Sequence, residues 1–384
     1  MKKRKIRKKR VIGFIVFLLI IVSLFTCLFL YLNRDKDKGK NSNDVKNEPK
    51  VDNKVEEPKE KRMSLVAVGD ALIHSGVYYD ASLGNGNYDF SKMFTYLSEA
   101  IKDYDLKYYN QETIIGGKNL GISNYPRFNS PDEIGTDLVK AGFNMVSLAN
   151  NHTLDMGEQG ILYSVSFWRN QNVIFNGQSD SFEDRNNIRI YEQNGIKYAF
   201  LAYTDTTNGL NIPSGKEYLL NVYSDAQAKK DIEKVKGKVD VIIVSMHWGE
   251  EYTHTPTSVQ TREAEYLSSL GVNLIIGSHP HVIQPVGYVN DTLVIYSLGN
   301  LISAQFTLGL DKIIGLMVGM DIVVKDNKVT FENVKKELLY TYCTSNYKNF
   351  SVIPFSKLTD DVLKNHEKIE EEYMAIVNSE VKYD

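Results

Sequence analysis

Val272-Asn273-Leu274-Ile275-Ile276-Gly277-Ser278-His279-Pro280-His281 is an apolar run that ends in a glycine, a serine and two histidines. Three other stretches repeat the plan. Ser64 to Gly69 leads to Asp70 and His74, Met145 to Ala149 leads to Asn150-Asn151-His152, and Asp240 to Met246 leads to His247-Trp248-Gly249. A shorter run, Leu106 to Tyr109, ends in Asn110-Gln111-Glu112. Each run reads as a buried parallel strand with polar residues at its carboxyl end. Open α/β sheets hold their ligands outside the carboxyl ends of their strands. Five of the seven histidines therefore fall where a site is expected. Imidazole, carboxylate and amide oxygens gathered there suit Mn, Zn or Fe.

Taken singly, each residue has a plainer explanation. Asp70 could cap a turn, Glu112 could be a loop acid, His152 could bond its own Asn-rich loop and His247 could be satisfied by backbone. Together they favour one shared site, because these explanations would have to hold independently at five strand ends. His279-Pro280-His281 supplies two rings on one stiff segment. In an extended H-x-H stretch both rings face the same side, and Pro280 fixes its own φ. His254, in a Thr- and Pro-rich loop, and His366, in the charged C-terminal segment, are expected at the surface.

Around these runs, helix-like and strand-like patterns alternate, the sign of a layered α/β fold. The spacing predicts helices over Phe90 to Tyr104, Pro131 to Ala141, Glu158 to Arg169, a helix capped by Ser224 and reaching Lys236, and one capped by Ser258 and reaching Leu270. Asn194-Gly195 and Lys325-Asp326-Asn327 signal hairpins, so antiparallel pairs mix with parallel ones. Thr359 to Val377 reads as a charged amphipathic helix. The expected architecture is a two-sheet sandwich of mixed sheets with outer helices.

The N-terminus has a different character. Its first ten residues carry eight Lys or Arg, and Val11 to Leu32 then run without a charge. At about 1.5 Å per helical residue that stretch reaches about 33 Å, enough to cross a hydrocarbon core of about 30 Å. A cleaved signal peptide has a shorter apolar region and a small-x-small site, whereas here Asn33-Arg34-Asp35-Lys36 follows directly. Cys27 lacks the small preceding residue of a lipobox. An uncleaved anchor at 11–32 is expected, with the basic tip 1–10 in the cytoplasm and the rest outside. Residues 33–62, dense in Lys, Asp, Glu and Asn, read as a solvated tether, and 63–384 as the folded domain.

Without the eight basic residues of the tip, 37 basic residues face 48 acidic ones, a balance of −11. Such a chain is not built to bind nucleic acid. Cys343 stands alone outside the apolar run, so no intramolecular disulfide forms there, which fits an exported bacterial protein.

In order, Gly69-Asp70, Asn110-Gln111-Glu112, Asn150-Asn151-His152, His247-Trp248-Gly249, Gly277-Ser278-His279-Pro280-His281 and Tyr296-Ser297-Leu298-Gly299-Asn300 resemble the CapA/PgsA family of poly-γ-glutamate capsule biosynthesis. The resemblance covers about 64–303, leaving a C-terminal hairpin and helix in 304–384. It implies a calcineurin-like metallophosphoesterase sandwich. By that resemblance Asp70 and His281 look like ligands of a first metal, Asn151, His247 and His279 like ligands of a second, and Glu112 stands where an acid bridges the two. His152 is implied beside the leaving group. This sequence departs from the phosphoesterase pattern at Leu72, where a histidine is usual, and at Glu112, where aspartate is usual. His74, four residues after Asp70, is a further catalytic candidate.

Two functions follow from the resemblance. One is a membrane-anchored, metal-dependent hydrolase or transferase of phosphoesterase type, acting on an envelope polymer or its precursor. The other is a non-catalytic polymer-binding or export component, associated with capsule synthase subunits. A lectin-like surface binder would leave the histidine clustering unexplained.

Overall fold

The computed structural model describes residues 60–382. The expected basic tip, the 11–32 anchor and nearly all of the tether lie outside the described residues. Within them, no helix is long and apolar enough to cross a membrane.

In chain order the strands are β1 (Lys61–Ala71), β2 (Ser82–Gly84), β3 (Asn87–Tyr88), β4 (Leu106–Asn110), β5 (Met145–Ser147), β6 (Ile174–Asn176), β7 (Ile190–Gln193) and β8 (Ile196–Thr204). They continue with β9 (Val241–His247), β10 (Leu274–Ser278), β11 (Val286–Val289), β12 (Thr292–Ile295), β13 (Asn300–Ile302), β14 (Ile314–Lys325), β15 (Lys328–Tyr342) and β16 (Ser351–Pro354). One sheet has the order β16-β15-β14-β1-β4-β5-β6, with β13 added beside β1; the other runs β11-β12-β10-β9-β8-β7. In the first sheet β1, β4, β5 and β6 are parallel; in the second β8, β9, β10 and β12 are parallel. Two of the antiparallel pairs, β7–β8 and β14–β15, were legible in their turns. Asn194 (φ 52°) and Gly195 (φ 79°) join β7 to β8, and Asp326 (φ 52°) and Asn327 (φ 60°) join β14 to β15. Two successive left-handed residues match the strand twist in such hairpins.

Strands of the second sheet are apolar on both faces because both are covered. Tyr198, Phe200, Ile243 and Ile276 face the first sheet in the main core. Their neighbours Leu201, Tyr203, Val244 and Ile275 pack outward with Ala228, Ile232, Ala264 and Leu267 of two helices, Asp225–Val235 and Ser258–Leu270. The first sheet buries Ile134, Leu138, Ile161, Val165 and Trp168 of its own helices, Asp132–Lys140 and Gly157–Asn170. Across the sandwich, Tyr108 Oη on β4 lies 2.7 Å from Ser245 Oγ on β9. The result is a mixed α/β sandwich flanked by helices, as expected.

Three local expectations are corrected. Ser258 is the first helical residue, and Thr257 caps it through a capping box with Gln260, since the threonine hydroxyl sits where it can accept from the Gln260 backbone N–H. The C-terminal helix begins at His366, not Thr359; turns occupy the segment before it. His254 and His366 are half-buried instead of exposed, because their Nδ1 atoms bond Ile283 O at 2.8 Å and Asp360 Oδ1 at 3.0 Å.

Beneath the outer helices a carboxyl pair makes stability depend on pH. Glu263 is buried at the second sheet's flank; burial, then the charge of Asp205, push it up to about 8, while burial pushes Asp205 up to about 6. An unfolded glutamate titrates near ~4.3. Between that value and about 8 the native state holds a proton that the unfolded state lacks, so stability falls as pH rises through this window. Glu263→Gln keeps the shape and removes the titration. Thermal unfolding at about pH 5 and about pH 9 should show a smaller loss in the variant than in the parent. Equal losses would contradict the coupling.

Candidate metal centre

The carboxyl ends of the parallel strands from both sheets meet at one place. Asp70 lies near the end of β1, Glu112 just beyond β4, Asn151 and His152 beyond β5, His247 at the end of β9, and His279 and His281 beyond β10. All are buried. A glycine makes the approach of β1 possible: a Cβ on Gly69 would sit 1.8 Å from Gly299 O. That close contact lets Asp70 N donate to Gly299 O at 2.9 Å and sets Asp70 opposite Asn300 in the parallel pairing of β1 with β13.

Two groups of ligand atoms form, each within 4.8 Å internally: Asp70, Glu112 and His281, and Glu112, His247 and His279. Glu112 belongs to both. His281 Nε2 is 3.6 Å from Glu112 Oε1 and its Nδ1 is 3.6 Å from Asp70 Oδ2. On the other side, His247 Nε2 lies 3.9 Å from Glu112 Oε1, 3.1 Å from His279 Nδ1 and 3.1 Å from Asn151 Oδ1. Asn151 thus adds its amide oxygen to the second group. The six residues expected as ligands converge.

The histidine pair converges by a different route from the expected one. The segment is not extended: His279 has φ 100° and His281 φ 59°. Both sit in the left-handed region that non-glycine residues seldom adopt, at a cost of about 1–3 kcal/mol each. A turn, not strand alternation, aims both rings inward. His279 N donates to Asp70 Oδ2 at 3.2 Å, which helps hold that turn.

The donor set suits a divalent cation. Both carboxylate oxygens of Glu112 are buried without a hydrogen-bond partner among the described residues. Such a group is costly unless a counter-charge reaches it. Burial pushes Glu112 well above the ordinary carboxylate range. Burial and the neighbouring rings hold His247 well below its usual value and His279 down at about 3, leaving both neutral and able to ligate. Burial works against charge on His281 too, but Glu112 and Asp70 outweigh it and raise that ring to about 9. A bound cation would compete with a proton for that ring.

Outer residues fix the rings. Asn300 Oδ1 accepts from His281 Nδ1 at 3.0 Å, Ser278 Oγ lies 3.0 Å from His247 Nδ1, and Asn110 Nδ2 donates to Asp70 Oδ1 at 2.8 Å. Such partners orient ligating rings and set their tautomers.

His152 stands apart from both groups, on the wall of an open cleft of about 830 Å³. Its Nδ1 lies 2.8 Å from Asp155 Oδ2, so Nε2 is the nitrogen left to exchange a proton. His74 lines the same cleft and is in neither ligand group. Its Nδ1 lies 3.2 Å from Leu72 O and 3.3 Å from Ala304 N. Burial and the charge of His281 push it down to about 4, so it faces the cleft as a neutral ring. Asp155 and Asn300 had no assigned role in the sequence. The first has a signal that could have been read, His152-x-x-Asp155, and the second closes a strand-end motif.

The family model described as "Bacterial capsule synthesis protein PGA_cap" matches residues 64–305. The chain belongs to this family. Every residue of the two ligand groups, with His152, Asp155 and Asn300, lies inside the PGA_cap match. The chain is 26% identical over 261 residues to "Capsule biosynthesis protein CapA" of Bacillus anthracis, covering 65% of this chain and 62% of that one. It is 32% identical over 171 residues to "PGA biosynthesis protein CapA" of Bacillus subtilis (strain 168), covering 42% of this chain and 43% of that one. These matches therefore span less than two thirds of either relative's length. Among solved structures, calcineurin-like phosphoesterase YfkN from Bacillus subtilis is similar at 14% identity and a TM-score of 0.46, over 82% of this chain and 99% of that one. A novel phosphatase from Mycoplasma pneumoniae is similar at 15% identity and a TM-score of 0.48, over 76% and 98%.

Proposed function

We propose that this PGA_cap protein is a metal-dependent hydrolase or transferase acting on a capsule polymer of poly-γ-glutamate type, or on its precursor. The observation that carries this reading is Glu112, a buried carboxylate without hydrogen-bond partners among the described residues, shared by two His/carboxylate groups beside an open cleft whose Tyr252 ring lies 6.0 Å from that of His281. Mn, Zn or Fe suits the mixed nitrogen and oxygen donors. When bound, such ions supply Lewis-acid polarisation of an ester, phosphoryl or amide oxygen and a nucleophile at neutral pH. The protein's own residues do the rest. Asp70, Glu112, Asn151, His247, His279 and His281 would hold the ions, and Asn300 and Ser278 keep two of the rings in register. His152, steadied by Asp155, gives or takes a proton at the leaving group through Nε2.

The charge asymmetry across Val11 to Leu32 supports an anchored topology with the folded part outside the cytoplasmic membrane. Protease added to intact spheroplasts would digest the folded part in that topology and spare it in the reverse one.

The reading is tested by offering metal-loaded chain a panel of phosphomonoesters, phosphodiesters and γ-glutamyl amides. Turnover of one class is expected, with loss of about 10² or more in Glu112→Gln. Metal binding without turnover of any class would replace the enzyme with a polymer-binding component of a capsule synthase complex.

A further inference from the structure

The described residues contain six arginines, and five of them pair with a carboxylate: Arg62, Arg169, Arg185, Arg189 and Arg262. Arg127 pairs with no carboxylate among the described residues. It is exposed, and it lines the cleft that also holds His74, His152 and Tyr252, where no lysine or other arginine accompanies it; the Tyr252 ring lies 6.0 Å from that of His281, which ties this cleft to the ligand groups. A guanidinium without a carboxylate partner among the described residues, on the wall of a cleft that also holds Asp155, Glu251, His74 and His152, is a group available for binding.

The loop that carries Arg127 is held firmly. Ser123 and Asn129 exchange backbone bonds at 3.1 and 3.2 Å, and Ser123 Oγ donates to Arg127 O at 2.7 Å. Asn129 donates from Nδ2 to Gly117 O at 3.0 Å and Gly121 O at 2.7 Å, while its Oδ1 accepts from Gly116 N at 2.8 Å. Next to Arg127, Phe128 N donates to Asp155 Oδ2 at 2.7 Å, the same oxygen that holds His152 Nδ1. The Phe128 ring lies edge-on to His152, with centroids 4.7 Å apart. The backbone at Arg127 is therefore set by the same carboxylate that sets the proton-transfer ring.

We propose that Arg127 is a specificity-determining residue that binds an oxyanion of the substrate lying beside, and distinct from, the group that reacts at the ligand cluster. The substrate class is thus one with at least two anionic or polar acyl groups along a chain, of which the cleft grips one while the other reacts. This inference rests on the proposed assignment of the cleft as the substrate site. The anion is a carboxylate or a phosphate, since a planar guanidinium fork serves both.

The test is calorimetric titration of the full Mn²⁺-loaded chain with three probes: a γ-linked glutamate hexamer, a glycerol phosphate hexamer and an uncharged γ-linked glutamine hexamer. At least one acidic probe should bind the parent more tightly than the glutamine hexamer does. Its affinity should fall about tenfold or more in Arg127→Ala and recover in part in Arg127→Lys, whereas affinity for the uncharged probe should hold. The probe that responds identifies the anion as carboxylate or phosphate. The proposal is overturned if Arg127→Ala binds the acidic probes as the parent does, or if neither acidic probe binds the parent better than the uncharged one. Turnover is followed in the same samples. Arginine-dependent binding without turnover would remove the enzyme reading and leave the role of Arg127 standing.

Discussion

A chain carrying His279→Ala and His281→Ala together is expected to lose its divalent metal while keeping its fold. His279 belongs to one ligand group and His281 to the other, so the pair of changes leaves each group with two of its three His/carboxylate donors. Even partners that merely orient a ligand cost about 10–100-fold in affinity when removed, and loss of a direct donor in both groups should exceed that. Competition against a chromophoric chelator measures the affinity, and far-UV circular dichroism reports the fold. Unchanged affinity in a folded double variant would place the metal elsewhere. Asn300→Ala is a graded companion, because it removes only the acceptor 3.0 Å from His281 Nδ1.

His152→Ala should behave in the opposite way, retaining metal and losing turnover by about 10²–10⁴, the usual contribution of a positioned proton donor. The ring lies outside both ligand groups, lines the cleft and is steadied by Asp155 at 2.8 Å. Asp155→Asn should give a smaller loss, since the ring stays but its tautomer is no longer enforced. Chelator competition and substrate turnover, measured on the same preparations, separate the two effects. Metal loss in His152→Ala would make it a ligand, and full turnover would remove it from the mechanism.

The site was legible because its chemistry sits where strand ends must deliver it. Apolar runs marked β1, β4, β5, β9 and β10, and the residue types after them, together with the family resemblance, marked six donors. Two hairpins were legible for a local reason too, since Asn-Gly and Asp-Asn accept left-handed backbone; the β11–β12 hairpin at Asn290 was not read. What could not be read depends on contacts distant in sequence. Nothing local says that β14 pairs antiparallel with β1, or that β13 slots beside Asp70 through the clearance left by Gly69. The left-handed backbone at His279 and His281 was missed because positive φ is uncommon for any non-glycine residue, histidine included; the surrounding fold imposes it. Arg127 carries no local signal of a role, and its place on the cleft comes from a loop pinned by Asn129 and Asp155. The helix cap was placed one residue late because Thr257 and Ser258 are both good caps, and the Gln260 side chain decides between them.

In the proposed centre Glu112 is the shared ligand of two metal ions. Crystals of the chain grown with Mn²⁺ and measured near the manganese absorption edge test it most directly. Two anomalous peaks are expected on either side of Glu112, one among Asp70, Glu112 and His281, the other among Glu112, Asn151, His247 and His279. No peak at these residues, with manganese bound elsewhere or not at all, would contradict it.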